Sequence, residues 1–255
     1  MSSSHGVAAF TRWRNYCLKN KVPLNHYIMA KHIMLVLVLT LLSQYSMGQK
    51  FEDYFTRTTV GSVQTPDGDG FIRRWLLLEP IDKPNRTNTV FTDSYLRETF
   101  NAEYFKGQFD LLPVDGQKVK VGKKRLKWHA VDSKLFNVKL FRFASGLEKQ
   151  IYGVLFWAVT IIDCDEDIPN VRLAVGSNSA SMWWLNGEEV VLLSGDRRMV
   201  RDDCTSDRLT LKKGRNILRG AVINGPGMSD FCTRFIDEKG QPVLNLKLNG
   251  DVFIK

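Results

Sequence analysis

The chain has 255 residues, with 36 basic and 27 acidic side chains and a formal net charge of +9. Five of the bases (Arg12, Arg14, Lys19, Lys21, Lys31) and none of the acids fall in residues 1–48, which leaves 31 bases against 27 acids, a net of +4, in the remainder. The densest cationic run, 118–127, falls in an expected hairpin or loop and reads as solvated surface, so nucleic acid is excluded as the expected partner.

Residues 1–28 carry no acid and no clear hydrophobic period. They are read as an extension from an upstream start, with Met29 as the expected true start. A short basic stretch, Met29-Ala30-Lys31-His32, precedes an apolar run at 33–42 and a small-x-small site, Ser46-Met47-Gly48. This pattern predicts a signal peptide over 29–48, cleavage after Gly48 and an exported protein, periplasmic or extracellular. The apolar run is shorter than the roughly 20 residues that span a bilayer. Residues 49–70 are a lead-in in which Phe51, Tyr54 and Phe55 are expected to pack on the domain edge, and 71–255 form the domain.

Thr65-Pro66-Asp67-Gly68-Asp69-Gly70 is turn chemistry. A first core strand is expected over 71–78, stopped by Glu79-Pro80, with a loop over 81–88. Apolar spacing predicts one helix over 94–105, capped by Thr92, Asp93 or Ser94 and ended by Gly107. A loop or small hairpin, a short strand over 126–131 and a mixed strand and connection over 134–143 follow. The most hydrophobic segment, 151–162, is expected to be a central strand.

Val171, Leu173 and Val175 alternate with polar or small residues, the period of a strand. After a break at 176–179, Met182 to Leu185 and Val190 to Leu193 flank Asn186-Gly187, whose residue types suit the two positive-φ positions of a type I′ turn. Further strands are expected over 209–211, 216–224 and 231–236, and Leu244, Leu246 and Leu248 close with alternation. Many short strands with a single helix predict an all-β fold, an antiparallel β-sandwich. Cys164, Cys204 and Cys232 would allow one disulfide in an exported chain, and the sequence does not select the pair. None has C-x-x-C spacing, so no zinc site is expected.

Several segments resemble the galactose-binding-like jelly-roll domains. These are Trp75-Leu76-Leu77-Leu78 with Pro80, Gly176-Ser177-Asn178, Trp184-Leu185-Asn186-Gly187, Leu211-Lys212-Lys213-Gly214-Arg215-Asn216, and Asp237 with Gly240, in the family's order over about residues 71–243. Glu79 stands where the family often has Gly, and Asn178-Ser179 where it often has paired Asp. Asn216 is expected to bond to nearby backbone. The chain also resembles short exported Bacteroides proteins assigned as acetylxylan esterases. The resemblance implies a module tied to plant polysaccharide (xylan) degradation, with a polysaccharide or oligosaccharide ligand and a glycoside hydrolase or esterase as partner.

Catalytic chemistry is thinly represented. The G-x-S-x-G elbow is absent, and Arg197 follows Gly195-Asp196 where a Gly-Asp-Ser motif would need Ser. His129 is the single histidine after residue 48 and is the candidate base of the alternative reading, an acetylxylan esterase with an unidentified Ser. No cofactor is expected. The acidic turn of Asp163, Asp165, Glu166 and Asp167 leaves structural calcium open, although the Gly and distal Glu of an EF-hand are missing.

For binding, Trp183 and Trp184 must face opposite sides of their strand. The resemblance implies Trp184 in the core, which leaves Trp183 as candidate sugar platform. Two loops add polar groups: 194–207, with Arg197, Arg198, Arg201, Asp202 and Asp203, and 224–231, with Asn224, Ser229 and Asp230. Arg forks and carboxylates suit sugar hydroxyls, and they suit each other equally well. The expected function is a non-catalytic carbohydrate-binding module, with the esterase and a structural or protein-interaction module as alternatives.

Overall fold

The computed structural model describes residues 50–59 and 61–249. The expected leader and its cleavage site lie outside the described residues. Two antiparallel sheets carry the fold. The larger has β1 (Phe55–Arg57), β6 (Lys124–Ser133), β3 (Arg74–Leu78), β7 (Val154–Cys164), β13 (Gly214–Asn224), β9 (Ala180–Leu185) and β10 (Glu188–Leu193) in that spatial order. Of the short strands, β4 (Ile81–Asp82) and β15 (Lys247–Asn249) pair with the two ends of β7, β2 (Val63–Gln64) pairs with β15, and β5 (Lys118–Val121) pairs with β6. In the smaller sheet β8 (Ile168–Ser177) is central. β14 (Phe231–Ile236) lies along one edge of it. β11 (Cys204–Thr205) and β12 (Leu209–Leu211) follow one another along the other.

Three α-helices and one 3-10 turn, Asn88–Val90, are present among the described residues; the α-helices are α1 (Phe51–Tyr54), α2 (Asp93–Asn101) and α3 (Leu140–Gly146). The single expected helix is α2, capped by the Thr92 side chain, which accepts from Tyr95 N. The other two are additions to the sequence reading. In α3 the buried residues are Leu140, Phe143 and Ala144, an i, i+3, i+4 set.

The all-β sandwich is observed, and one feature changes its meaning. The large sheet is buried on both faces. One face packs on the small sheet, bringing Trp75, Phe156, Trp183 and Leu218 against Leu173, Val175, Phe231 and Phe235. The other carries Trp128, Trp157, Met182, Trp184 and Ile223 under Leu96 and Phe100 of α2, together with Phe105. This explains the unbroken apolar run of β7, whose residues alternate between two cores.

It also overturns the platform role expected of Trp183. That side chain is 0% exposed, with its ring 5.9 Å from Trp75 and 5.0 Å from Phe231, and its Nε1 donates to Ser181 Oγ. Trp184 does face the opposite side, where it stacks on Trp157 at 5.5 Å and is 5% exposed. Alternation separates the two rings correctly, but a second layer covers each face.

The turns follow their chemistry. Asn186 and Gly187 both take positive φ, 52° and 92°, and set Glu188 opposite Leu185. Asn216 braces the preceding turn by accepting from Lys212 N at 2.9 Å and donating to Lys212 O at 2.7 Å. The 177–180 turn carries the chain from the small sheet into the large one, since β8 pairs with β14 whereas β9 pairs with β13.

Gly220 is where the central packing is tightest. A Cβ there would lie 2.3 Å from the Trp183 ring. Gly220→Ala is expected to cost about 1–3 kcal/mol of stability through overpacking, read as a lowered urea midpoint; an unchanged midpoint would mean that the Trp183 ring can move aside freely.

Candidate functional site

One end of the sandwich gathers the loop residues with spare polar capacity. Asn224, the last residue of β13, organises it. Its Nδ2 donates to Ile151 O at 2.7 Å and Gly227 O at 3.1 Å, and its Oδ1 accepts from Ser179 Oγ at 3.2 Å. Three loops are thereby joined: 147–153 before β7, 177–180 between the sheets, and 224–230. A fourth joins through Asn88, whose Nδ2 donates to Pro226 O at 3.4 Å and also to Asp196 Oδ1 at 2.7 Å. Gly225 lets Asn88 come close, because a Cβ on Gly225 would sit 2.3 Å from Asn88 Oδ1.

Asp230 lies at the base of this end and is 2% exposed. Its Oδ2 accepts from Asn137 Nδ2 and from Lys139 Nζ, each at 2.7 Å. Its Oδ1 is buried and has no hydrogen-bond partner, and the same holds for Ser229 Oγ and Asn88 Oδ1. Buried polar atoms are nearly always paired, and three of the twelve unpaired ones among the described residues fall in these joined loops. Lys139, the charged partner of Asp230, is 27% exposed at its side chain.

An exposed aromatic residue completes this end. Tyr152, 51% exposed, follows the Ile151 carbonyl held by Asn224, and its own carbonyl accepts from Gln150 Nε2 at 2.6 Å. The sequence reading placed Tyr152 inside a strand that began at 151. The strand begins at Val154, because Gly153 takes a φ of 61° and turns the chain first. That glycine was the available signal.

The other expected binding residues are placed as follows. Asn224 and Asp230 are buried parts of the loop-end network, as described. Arg197 pairs with Asp203 and donates to Ser194 O at 3.0 Å. Asp202 is held by Arg234 of β14, with Nε to Oδ1 at 3.0 Å. The Arg201 guanidinium lies 4.1 Å from the Phe136 ring centroid and 5.4 Å from that of Phe71, with Asp69 at 3.7 Å. Loop 194–207 is thus folded back on the small sheet by its own charges. Arg198 is exposed and meets no charged partner among the described residues.

His129 is not at this end. It is 3% exposed, in β6. Its Nδ1 lies 3.3 Å from Arg57 Nη1, which can only donate, so the ring proton sits on Nε2 and points to Glu79 Oε1 at 3.4 Å. Both ring nitrogens are occupied and no hydroxyl meets them. Burial holds the imidazole pKa below its ordinary value, while Glu79 pulls it the other way. The arrangement does not suit a base for a serine nucleophile, and it corrects the alternative role given to His129.

The three cysteines are free thiols. Cys204 and Cys232 pair with Val175 and Gly176 from opposite edges of β8. Two strand spacings put their Cα atoms roughly 10 Å apart, beyond disulfide reach. Burial pushes the thiols of Cys164 and Cys232 up to about 11 and about 12. In the acidic turn, Asp165 pairs with Lys247, Asp167 with Lys212, and Asp163 accepts from Asn249. Among the described residues no group of three side chains is gathered as for a metal ion.

No family model matches the chain, and no curated protein matches it. Among solved structures it is similar to the PA14 domain of the MpAFP antifreeze protein, with TM-score 0.40, 11% identity, and coverage of 77% of this chain and 97% of that one. It is also similar to the PA14 sugar-binding domain from an RTX adhesin, with TM-score 0.39, 9% identity, and coverage of 70% and 99%. A third similar structure is Ruminococcus gnavus β-glucuronidase in complex with uronic isofagomine, with TM-score 0.36, 11% identity, and coverage of 78% and 38%. At these identities the likeness concerns fold alone, and the reading of the site rests on its residues.

The His129 pair makes stability depend on pH. Its folded pKa lies below the unfolded value of about 6.5, so its contribution is fully present above that pH and is lost as pH falls below it. The slope for one proton is at most about 1.4 kcal/mol per pH unit. Urea unfolding of the parent and of His129→Gln from pH 7.5 downward is expected to give curves that converge in acid; parallel curves would assign the acid sensitivity elsewhere.

Proposed function

We propose that the chain is a carbohydrate-binding module that receives a glycan at the loop end. The observation that carries this reading is Asp230, a buried carboxylate with one oxygen saturated by Asn137 and Lys139 and the other unpaired, in loops joined to the exposed Tyr152. Sugar sites combine an aromatic face with a few oriented polar groups. Tyr152 supplies the face. Displacement of the partly exposed Lys139 side chain would open Asp230 to a sugar hydroxyl, which its free oxygen accepts well.

In the finer form of this reading the glycan is a neutral plant polysaccharide such as xylan, met outside the cell and shared with a glycoside hydrolase or esterase partner. That part is supported by the family resemblance of the sequence motifs. Esterase chemistry by the chain itself draws no support from His129, whose two nitrogens are engaged by Arg57 and Glu79.

Titration of xylan and other neutral oligosaccharides into the protein tests the reading. Tyr152→Ala is expected to weaken binding at least about tenfold, near 1.4 kcal/mol, with little change in melting temperature because the side chain is exposed. Retained affinity would remove Tyr152 from the site. No binding of any neutral glycan by the parent protein would favour a structural or protein-interaction module.

A further inference from the structure

The hairpin of β5 and the first half of β6 holds like charges face to face. Lys118 lies opposite Lys127, and Lys120 opposite Arg125. Strand alternation puts these four on one face, while Val119 and Leu126 point the other way into the core. Like charges directly opposite one another destabilise a sheet, and nothing here relieves them. Among the described residues no carboxylate pairs with any of the four. Nearby Lys124, on the other face, takes Asp82. Glu79 accepts from the Lys127 backbone, but its side chain is engaged by His129 and Lys149.

A cavity of about 580 Å³ adjoins this face, lined by Leu112, Val114, Asp115, Gly116 and Gln117. Its Gly116 lies against Lys127, whose Cε would be 3.8 Å from a Cβ at that position. Lys127 is thus the member of the cationic rows that approaches a residue of the cavity lining, although none of the four cations lines the cavity itself.

We propose that this hairpin face binds an acidic polysaccharide, a linear glycan bearing carboxylate or sulfate groups. The geometry favours a polymer over a single ion. Successive cations along each strand are about 6.8 Å apart, and cross-strand partners are about 5 Å apart, so two rows run side by side. It favours a glycan over single-stranded nucleic acid, because none of the exposed large apolar side chains lies on the hairpin and no stacking platform is present. It favours a glycan over a lipid surface, because the apolar residues of the hairpin face inward and leave nothing to insert. The adjoining cavity, with Asp115 and Gln117 in its lining, offers room for a sugar ring beside the charges.

The site is separate from the loop end, and so is its test. The full chain is run against immobilised polygalacturonate and heparin, with a 20-base-pair DNA duplex and phosphatidylserine vesicles as competitors. Binding is expected to one or both glycans, to fall as salt rises from about 50 to about 500 mM, and to weaken at least about tenfold in the double variant Lys120→Gln/Arg125→Gln. That variant also relieves the like-charge pairs, so its melting temperature should rise by about 1–4 °C, which rules out misfolding as the cause of lost binding. Its affinity for neutral xylan should be unchanged, so the two sites fail independently. Acidic-glycan binding that survives the substitutions, or tighter binding to DNA or vesicles than to either glycan, would overturn the proposal.

Discussion

The packing of Trp183 between Gly220 and Phe231 is the constraint on which the rest of the molecule depends. It fixes the distance between the two sheets at the middle of the sandwich. A glycine in β13 suits this packing because a Cβ at that position would fall 2.3 Å from the indole. Trp75 meets the same ring edge-on at 5.9 Å, so three strands and both sheets share one aromatic cluster. With the inner face filled by large rings and the outer face of the large sheet roofed by α2 and Phe105, the central strands of that sheet have few side chains left for recognition. Function is pushed to loops and edges.

That displacement explains the character of the loop end. A sheet closed on both sides holds its strand ends rigidly, and Asn224 transfers that rigidity to three loops through hydrogen bonds from one amide. Asp230 is placed with equal firmness, since its backbone carbonyl accepts from Asn178 N and its side chain from Asn137 and Lys139. A buried carboxylate held in this way is costly unless fully satisfied. On the proposed reading its unpaired oxygen is the half of an interaction that a sugar hydroxyl would complete.

Much of this was legible in the sequence, and the parts that were not share a cause. Local chemistry read true: Asn186-Gly187 made its turn, Asn216 bonded to backbone, and 209–211 and 231–236 became strands with those bounds. The opposition of Trp183 and Trp184 was also correct. Periodicity reports which residues share a face, and it says nothing of whether that face is covered. Trp183 was misjudged for that reason. The α3 pattern at Leu140, Phe143 and Ala144 was hidden by the aromatic Phe141 between them, which mimics strand alternation. The loop arginines posed a third problem. Carboxylates and guanidinium groups recognise one another as readily as they recognise sugars, and only three-dimensional proximity assigns Asp202 to Arg234 and Arg197 to Asp203.

The hairpin cations raise a sharper question of cause. β5 pairs with β6 alone and is an edge strand, and lysines on an edge strand discourage pairing with another chain. That accounts for Lys118 and Lys120. Arg125 and Lys127 lie on the half of β6 that pairs with β5 alone, since the ladder with β3 covers only Trp128 to Asp132, so edge protection extends to them as well. Edge protection alone would be served better by acids opposite the lysines, which would keep the charge at the rim and remove the repulsion. Arg125 and Lys127 instead double the positive charge on one face and leave the cost standing. A persistent local cost that the fold does not require is reasonably sought in what the surface does, and here the surface presents two parallel rows of unpaired cations to solvent.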